Sequence, residues 1–168
     1  MATPTYTPIA SIVVGTTTNS ITFSSIPSGF RDLVIQGGVR STRAASAEDL
    51  FIQLNGDTGS NYTGVFMYGT DSGTTSSFTT NTTQFSIATN TAAATATSGL
   101  FTAFYGQIMD YSATDKHKTF LTRNAAPTQV WAGAGRHSST SAVTSFRLFY
   151  NIGNFEVGSK ISLYGIEA

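Results

Sequence analysis

The sequence predicts an all-β fold, a single-domain two-sheet β-sandwich of jelly-roll type with about ten strands. Three observations predict it. Apolar residues recur with period two, which is the spacing of a strand with one buried face. Turn signals return at intervals of roughly 8 to 12 residues, as in sandwiches and barrels. No window places apolar residues at helical spacing over three turns. The 168 residues suit one domain, and no linker, repeat or composition boundary divides them.

The elements follow in chain order. Ile12–Val14 and Ile21–Phe23 are separated by Gly15-Thr16-Thr17-Thr18-Asn19, and Pro27-Ser28-Gly29 makes a second break. Leu33, Ile35 and Gly37 alternate with Val34, Gln36 and Gly38. Leu50, Ile52 and Leu54 alternate with Phe51 and Gln53. Asn55-Gly56-Asp57 is the strongest hairpin-type turn, because Asn and Gly tolerate positive φ. Tyr68-Gly69-Thr70-Asp71-Ser72-Gly73 opens a polar stretch that reads as a long loop to about Thr83. Thr89 to Ser98 is Ala-rich, but its interleaved Thr residues favour an extended segment or loop. Phe146, Leu148 and Tyr150 alternate with Arg147 and Phe149, and Ile161, Leu163 and Gly165 with Ser162 and Tyr164. The core expected from these patterns is Phe23, Leu33, Ile35, Ile52, Leu54, Phe104, Ile108, Leu121, Phe146, Leu148, Ile161 and Leu163. Residues 1–8, with Pro4 and Pro8, read as an extended N-terminal arm, and residues 9–168 as the sandwich.

Composition narrows the function. Charged residues are 11% of the chain, against roughly 25% in an average soluble protein. Ser and Thr take their place at 48 of 168 positions. Nine basic and nine acidic side chains give a net charge of +0, whereas a nucleic-acid binder needs a basic surplus. Zero Cys removes a disulfide framework, a Cys zinc site and a thiol nucleophile. No apolar run approaches the roughly 18 residues of a membrane-spanning helix, so no membrane partner is expected. Met1-Ala2-Thr3-Pro4-Thr5-Tyr6 lacks a basic segment followed by an apolar stretch, so no secretory signal is expected either.

The residues bear on four kinds of site chemistry. His117 sits in the polar cluster Asp115-Lys116-His117-Lys118 and His137 at a strand end or loop. Neither has a visible partner for nucleophilic or zinc chemistry, and no Gly-x-Ser-x-Gly elbow occurs. Gly133-Ala134-Gly135 lacks the third Gly and the helix of a phosphate loop, and reads as strand glycines. Asn55, Asp57 and Asn61 place oxygens as a calcium loop would, but Phe66 stands where the closing Glu belongs. Trp131, Tyr62, Tyr68, Tyr105 and Tyr111 are the aromatics available to stack on a sugar, although aromatics on strands are more often core or interface.

Several segments in order carry a resemblance. They are Ser20-Ile21-Thr22-Phe23-Ser24-Ser25-Ile26-Pro27, Phe30-Arg31-Asp32-Leu33-Val34 and Leu54-Asn55-Gly56-Asp57-Thr58-Gly59-Ser60-Asn61-Tyr62. Met109-Asp110-Tyr111-Ser112, Lys116-His117-Lys118-Thr119, Gly153-Asn154-Phe155 and Ser162-Leu163-Tyr164-Gly165-Ile166 follow. Over most of its length the chain resembles a family of small structural proteins of tailed phages, common in aquatic and cyanobacterial phages. The resemblance implies a virion component at the particle surface, made in the host cytoplasm, and no enzyme. It carries over no catalytic residue, cofactor or metal ligand.

The leading expectation is a capsid decoration (cement) protein that binds and stabilises the major capsid shell as a homo-oligomer, with a trimer favoured. The alternative is a tail or fibre-associated module that recognises a host surface glycan. The residues expected to meet a partner are Tyr6 in the arm, Tyr68 and Asp71 in the long loop, and Arg31, Arg40, Arg43 and Arg136 near strand ends.

Overall fold

The computed structural model describes residues 5–167. Twelve strands build it: β1 (Tyr6–Val13), β2 (Ser20–Phe23), β3 (Asp32–Val39), β4 (Ala47–Leu54), β5 (Tyr62–Thr70) and β6 (Gly73–Thr82), then β7 (Phe85–Ala92), β8 (Thr102–Met109), β9 (Lys118–Ala126), β10 (Gln129–His137), β11 (Phe146–Tyr150) and β12 (Lys160–Ile166). All pair antiparallel. The larger sheet runs β1-β12-β3-β8-β9-β10-β5-β6, and the smaller one β2-β11-β4-β7. The chain is a two-sheet β-sandwich, as its period-two pattern predicts.

The core lies between the sheets. Phe23, Leu33, Ile35, Ile52, Leu54, Phe104, Ile108, Phe146, Leu148, Ile161 and Leu163 are all buried there. Stacked aromatic rings extend the core. Phe85 of β7 lies 4.6 Å from Phe120 of β9, and Phe66 of β5 lies 5.2 Å from Trp131 of β10, centroid to centroid. Gly133 and Gly135 of β10 make room for them. A Cβ at Gly133 would meet the rings of Phe66 and Trp131, and one at Gly135 the ring of Phe85. These are strand glycines, as the sequence suggests, but they admit aromatic rings rather than backbone. Asn55 and Gly56 turn the chain after β4 with φ of 52° and 70°, the left-handed backbone an Asn-Gly turn supplies.

Three expectations are corrected. Residues 73–82 are not loop. They form β6, which pairs along β5 from Thr70↔Gly73 to Tyr62↔Thr82. Of the expected arm, Tyr6–Pro8 are extended but belong to the sandwich. They begin β1 and face Ile166, Gly165 and Tyr164 of β12, and the register shifts between Pro8 and Ala10. β1 is an edge strand and Pro8 lies at its irregularity, two settings where a residue without an N–H fits a sheet. Pro4 lies outside the described residues. Leu121 is not core. Its neighbour Phe120 is fully buried, while Leu121 points to the opposite face and is 43% exposed.

Candidate functional site

The eight-stranded sheet is wider than its partner, and its outer face carries a cluster of exposed apolar side chains. Pairing registers place Leu121 (β9), Ala134 (β10), Val65 (β5) and Phe78 (β6) side by side in one row across four strands. The next row holds Arg123, Ala132, Met67 and Ser76, and the one beyond it Ala125, Val130, Gly69 and Thr74. Val65, Met67, Phe78, Leu121 and Val130 are all exposed, Phe78 at 73%. A groove of about 770 Å³ runs between the walls of Leu121 and of Val65, Met67 and Phe78, on a floor of Ala132 and Ala134. A second of about 750 Å³ continues it past Met67 and Val130 to Arg123.

Two arginines share this face, Arg136 beyond its first row and Arg123 within its second. Arg136 stands one row beyond Leu121–Phe78, opposite Thr63 and Thr119, and is exposed. Arg123 lies over the ring of Tyr105, 4.8 Å from its centroid. The three rows contain no carboxylate.

The residues singled out from the sequence do not converge. Arg136 borders the patch. Tyr6 is exposed on β1, edge-on to Tyr164 with centroids 6.4 Å apart. Arg31 follows it closely in space, since its N–H donates to the carbonyl of Ile166. Its guanidinium lies 3.3 Å from Asp32. Tyr68 is half-buried on the inner face, and Asp71 is exposed in the β5–β6 turn. Arg43 is half-buried beside Asp49.

Arg40 is corrected. It is not a rim donor but a buried one. Its guanidinium donates to the carbonyls of Thr97 and Leu100, each at 2.8 Å, and of Ala96 and Ala94 at 3.1 and 3.3 Å. It fastens the irregular segment after β7 to the end of β3.

The other sequence candidates resolve as follows. His117 is exposed. His137, expected without a partner, is 3% exposed, and its Nε2 lies 2.7 Å from Asp57 Oδ2. Asp57 also accepts from the backbone N–H of Gly59 and from Asn61 Nδ2, so its oxygens serve the turn itself. These bonds, that from His137 foremost, hold the Asp57 carboxyl below the usual range. Asn55 accepts the backbone N–H of Thr144 and of Ser145. Among the described residues no three His, Asp or Glu side chains gather in one place. Of the aromatics considered for sugar stacking, Trp131, Tyr62 and Tyr111 are buried. The Tyr62 hydroxyl accepts the N–H of Leu54, and burial pushes its pKa up to about 12.

No period-two alternation marks the exposed patch in the sequence. A signal was present. In Val65-Phe66-Met67-Tyr68 every residue is apolar or aromatic, so both faces of β5 are apolar, which a one-sided strand does not require.

No family model and no curated protein matches the chain. Among solved structures it is similar to the Caenorhabditis elegans galectin LEC-6, at 8% identity over 94% of this chain and 96% of that one, with a TM-score of 0.36. It is also similar to a mutant of the alginate lyase Aly36B in complex with alginate tetrasaccharide, at 9% identity over 94% and 79% of the two chains, with a TM-score of 0.33.

Proposed function

We propose that this chain is a phage virion structural protein, a capsid decoration protein that docks on the major capsid protein through the outer face of β9, β10, β5 and β6. The observation that carries the reading is the row Leu121–Ala134–Val65–Phe78, with exposed Met67 and Val130 in the two rows beyond it, Arg136 one row to the other side and Arg123 in the row of Met67. The phage family that the sequence resembles supplies the setting.

The mechanism is burial. Val65, Met67, Phe78, Leu121 and Val130 are already partly covered, so each contributes a fraction of the about 1.5–3 kcal/mol that burying a fully exposed side chain is worth. That sum is offset by the lost freedom of association and by ordering of side chains. Arg136 at the rim donates to carboxylates of the shell, which orients the contact more than it tightens it. Strand-borne groups are already fixed, so little of the docking face has to order on binding.

The glycan-binding alternative has less to draw on. Three of its five aromatics are buried, and Arg123 already covers a face of Tyr105. An apolar groove with Ala at its floor offers a sugar few hydrogen bonds.

The test adds purified protein to particles that lack it and measures occupancy. Leu121→Glu and Val130→Glu lie on exposed positions and leave folding intact, which circular dichroism checks. Occupancy falls at least about tenfold in each if the face docks, the equivalent of about 1.4 kcal/mol. Equal occupancy of both variants and wild type overturns the docking face. Copy number separates the classes: a decoration protein is among the most abundant virion proteins, and a tail module is present in few copies.

A further inference from the structure

A sandwich has four sheet edges, and here they are β1, β6, β2 and β7. An open edge presents unpaired N–H and C=O groups to any other strand, and proteins commonly block it. Three of these edges are blocked or short. β1 carries Pro8 and a shift of register. β2 has four residues. β7 is capped by side chains from the other sheet. Asn124 accepts the N–H of Thr89 at 3.1 Å and donates to its carbonyl at 2.9 Å, as a neighbouring strand would, and Thr102 Oγ1 accepts the N–H of Ala92 at 2.8 Å.

β6 is blocked only at its end, where a bulge at Thr80–Asn81 puts Asn81 in left-handed backbone with φ of 53°. It runs for ten residues, Gly-Thr-Thr-Ser-Ser-Phe-Thr-Thr-Asn-Thr, without Pro or charge. Every residue from Gly73 to Asn81 is exposed on both faces. Its one register break lies at its end, between Tyr62 and Gly64 of the partner strand. Among the described residues no strand pairs with its outer edge. Ser and Thr are short and suit a pleated surface, so the strand is preformed for pairing.

We infer that β6 pairs with β6 of a second copy, antiparallel across a two-fold axis at Phe78, joining two eight-stranded sheets into one. Two observations choose this occupant and this direction. The row Leu121–Ala134–Val65–Phe78 ends at the edge, and the two-fold continues it into the same row of the second copy, with Phe78 against Phe78. The one charge in the hairpin, Asp71, is at its tip. Antiparallel pairing centred on Phe78 carries the two Asp71 side chains to opposite ends of the ladder. They then stand roughly 47 Å apart at about 3.4 Å per residue. That is far beyond the screening distance of about 8 Å.

The bulge at Thr80–Asn81 limits the regular ladder to Ser76–Thr80, about 17 Å long and about 10 Å thick, which gives roughly 170 Å² per partner. Stable complexes need about 1,000 Å² in total, so the pair is concentration-dependent rather than permanent. A crowded surface supplies the required concentration. The inference does not depend on the particle reading, and its test uses purified protein alone.

Sedimentation velocity is run on a concentration series up to millimolar. The wild type shifts from one chain toward two, and Phe78→Glu, which sets like charges opposite one another at an exposed site, stays at one chain. The chain has no Cys, so single cysteines report proximity cleanly. Phe78→Cys oxidises to a linked pair, because directly opposed Cβ atoms stand about 4.5–5.5 Å apart, and Asp71→Cys does not. A single-chain mass at every concentration, a three-chain mass, an associating Phe78→Glu, or linkage of Asp71→Cys as fast as that of Phe78→Cys overturns the inference.

Discussion

His137 and Asp57 lie 80 residues apart in sequence, and the Nε2 of one is 2.7 Å from Oδ2 of the other. The contact ties the end of β10 to the turn after β4, and so links the larger sheet to the smaller. The ring of Tyr62 stacks on His137 with centroids 4.6 Å apart and closes it from solvent.

This pair sets an acid limit on stability. The Asp57 carboxyl is held below its usual range, first by the bond from His137 and then by those from Asn61 and Gly59. A carboxyl whose folded pKa lies below its unfolded value adds stability that is fully present above the unfolded value. That stability is lost as pH falls through the folded one. Urea titrations at a series of pH values are expected to show wild-type stability falling as pH drops below about 4, and a shallower fall in Asp57→Asn. Equal acid slopes in the two proteins would remove the pair from the account.

Asp49 has the opposite sign. Burial raises its pKa, although it accepts the N–H of Asn90 at 2.8 Å and lies near Arg43. Its ionised form is therefore penalised in the fold at neutral pH. Asp49→Asn keeps the acceptor and removes the charge. It is expected to raise the melting temperature at neutral pH, with the gain shrinking as pH falls toward the carboxyl range. A lower melting temperature at neutral pH would show that the ionised form is favoured.

Phe120 and Leu121 are adjacent and differ only in the face they take. Phe120→Ala is expected to cost about 3–5 kcal/mol in urea titration. Leu121→Ala is expected to stay within about 0.5 kcal/mol. Similar losses in both would mean that the outer face of β9 is covered within the single chain.

Arg40 holds four carbonyls of the segment from Ala94 to Leu100. Arg40→Met leaves them without that partner and is expected to cost about 1–3 kcal/mol. Hydrogen exchange is expected to rise in that segment first. Arg40→Lys recovers only part of the loss, because one ammonium cannot span the carbonyls a guanidinium fork reaches. Unchanged exchange in Arg40→Met would contradict the anchoring role.

Much of the fold was legible, and the particular failures have physical causes. β12 alternates cleanly because one side of it faces the core, and β3, β4 and β11 keep enough of that alternation to read as strands although Val34, Gln53 and Phe149 on the other side are buried too. β6 was illegible because neither of its sides faces the core. Its hydrogen-bond partner β5 alone makes it a strand, and pairing leaves no hydrophobic period behind. Leu121 was misplaced because Phe120 and Leu121 are both apolar, while the inward positions Lys118, Thr122 and Asn124 are polar. Lys118 meets backbone carbonyls of Ala113, Lys116 and Thr140 there, and Asn124 caps β7. Such pairings join residues far apart in sequence, as do Arg40 with its carbonyls and His137 with Asp57. Of the candidate site, Arg136 was legible as a rim charge. The apolar patch was not, since it exists only when four strands lie in register.

The central claim is that the outer face of β9, β10, β5 and β6 rests on a virion shell. Electron microscopy of intact particles tests it most directly. The account expects density for the sandwich in many symmetry-related copies on the capsid, with Val65, Met67, Leu121 and Val130 turned toward the major capsid protein and Arg136 at the rim of the contact. Density confined to the tail, or a sandwich seated on the shell with that face turned to solvent, would contradict it.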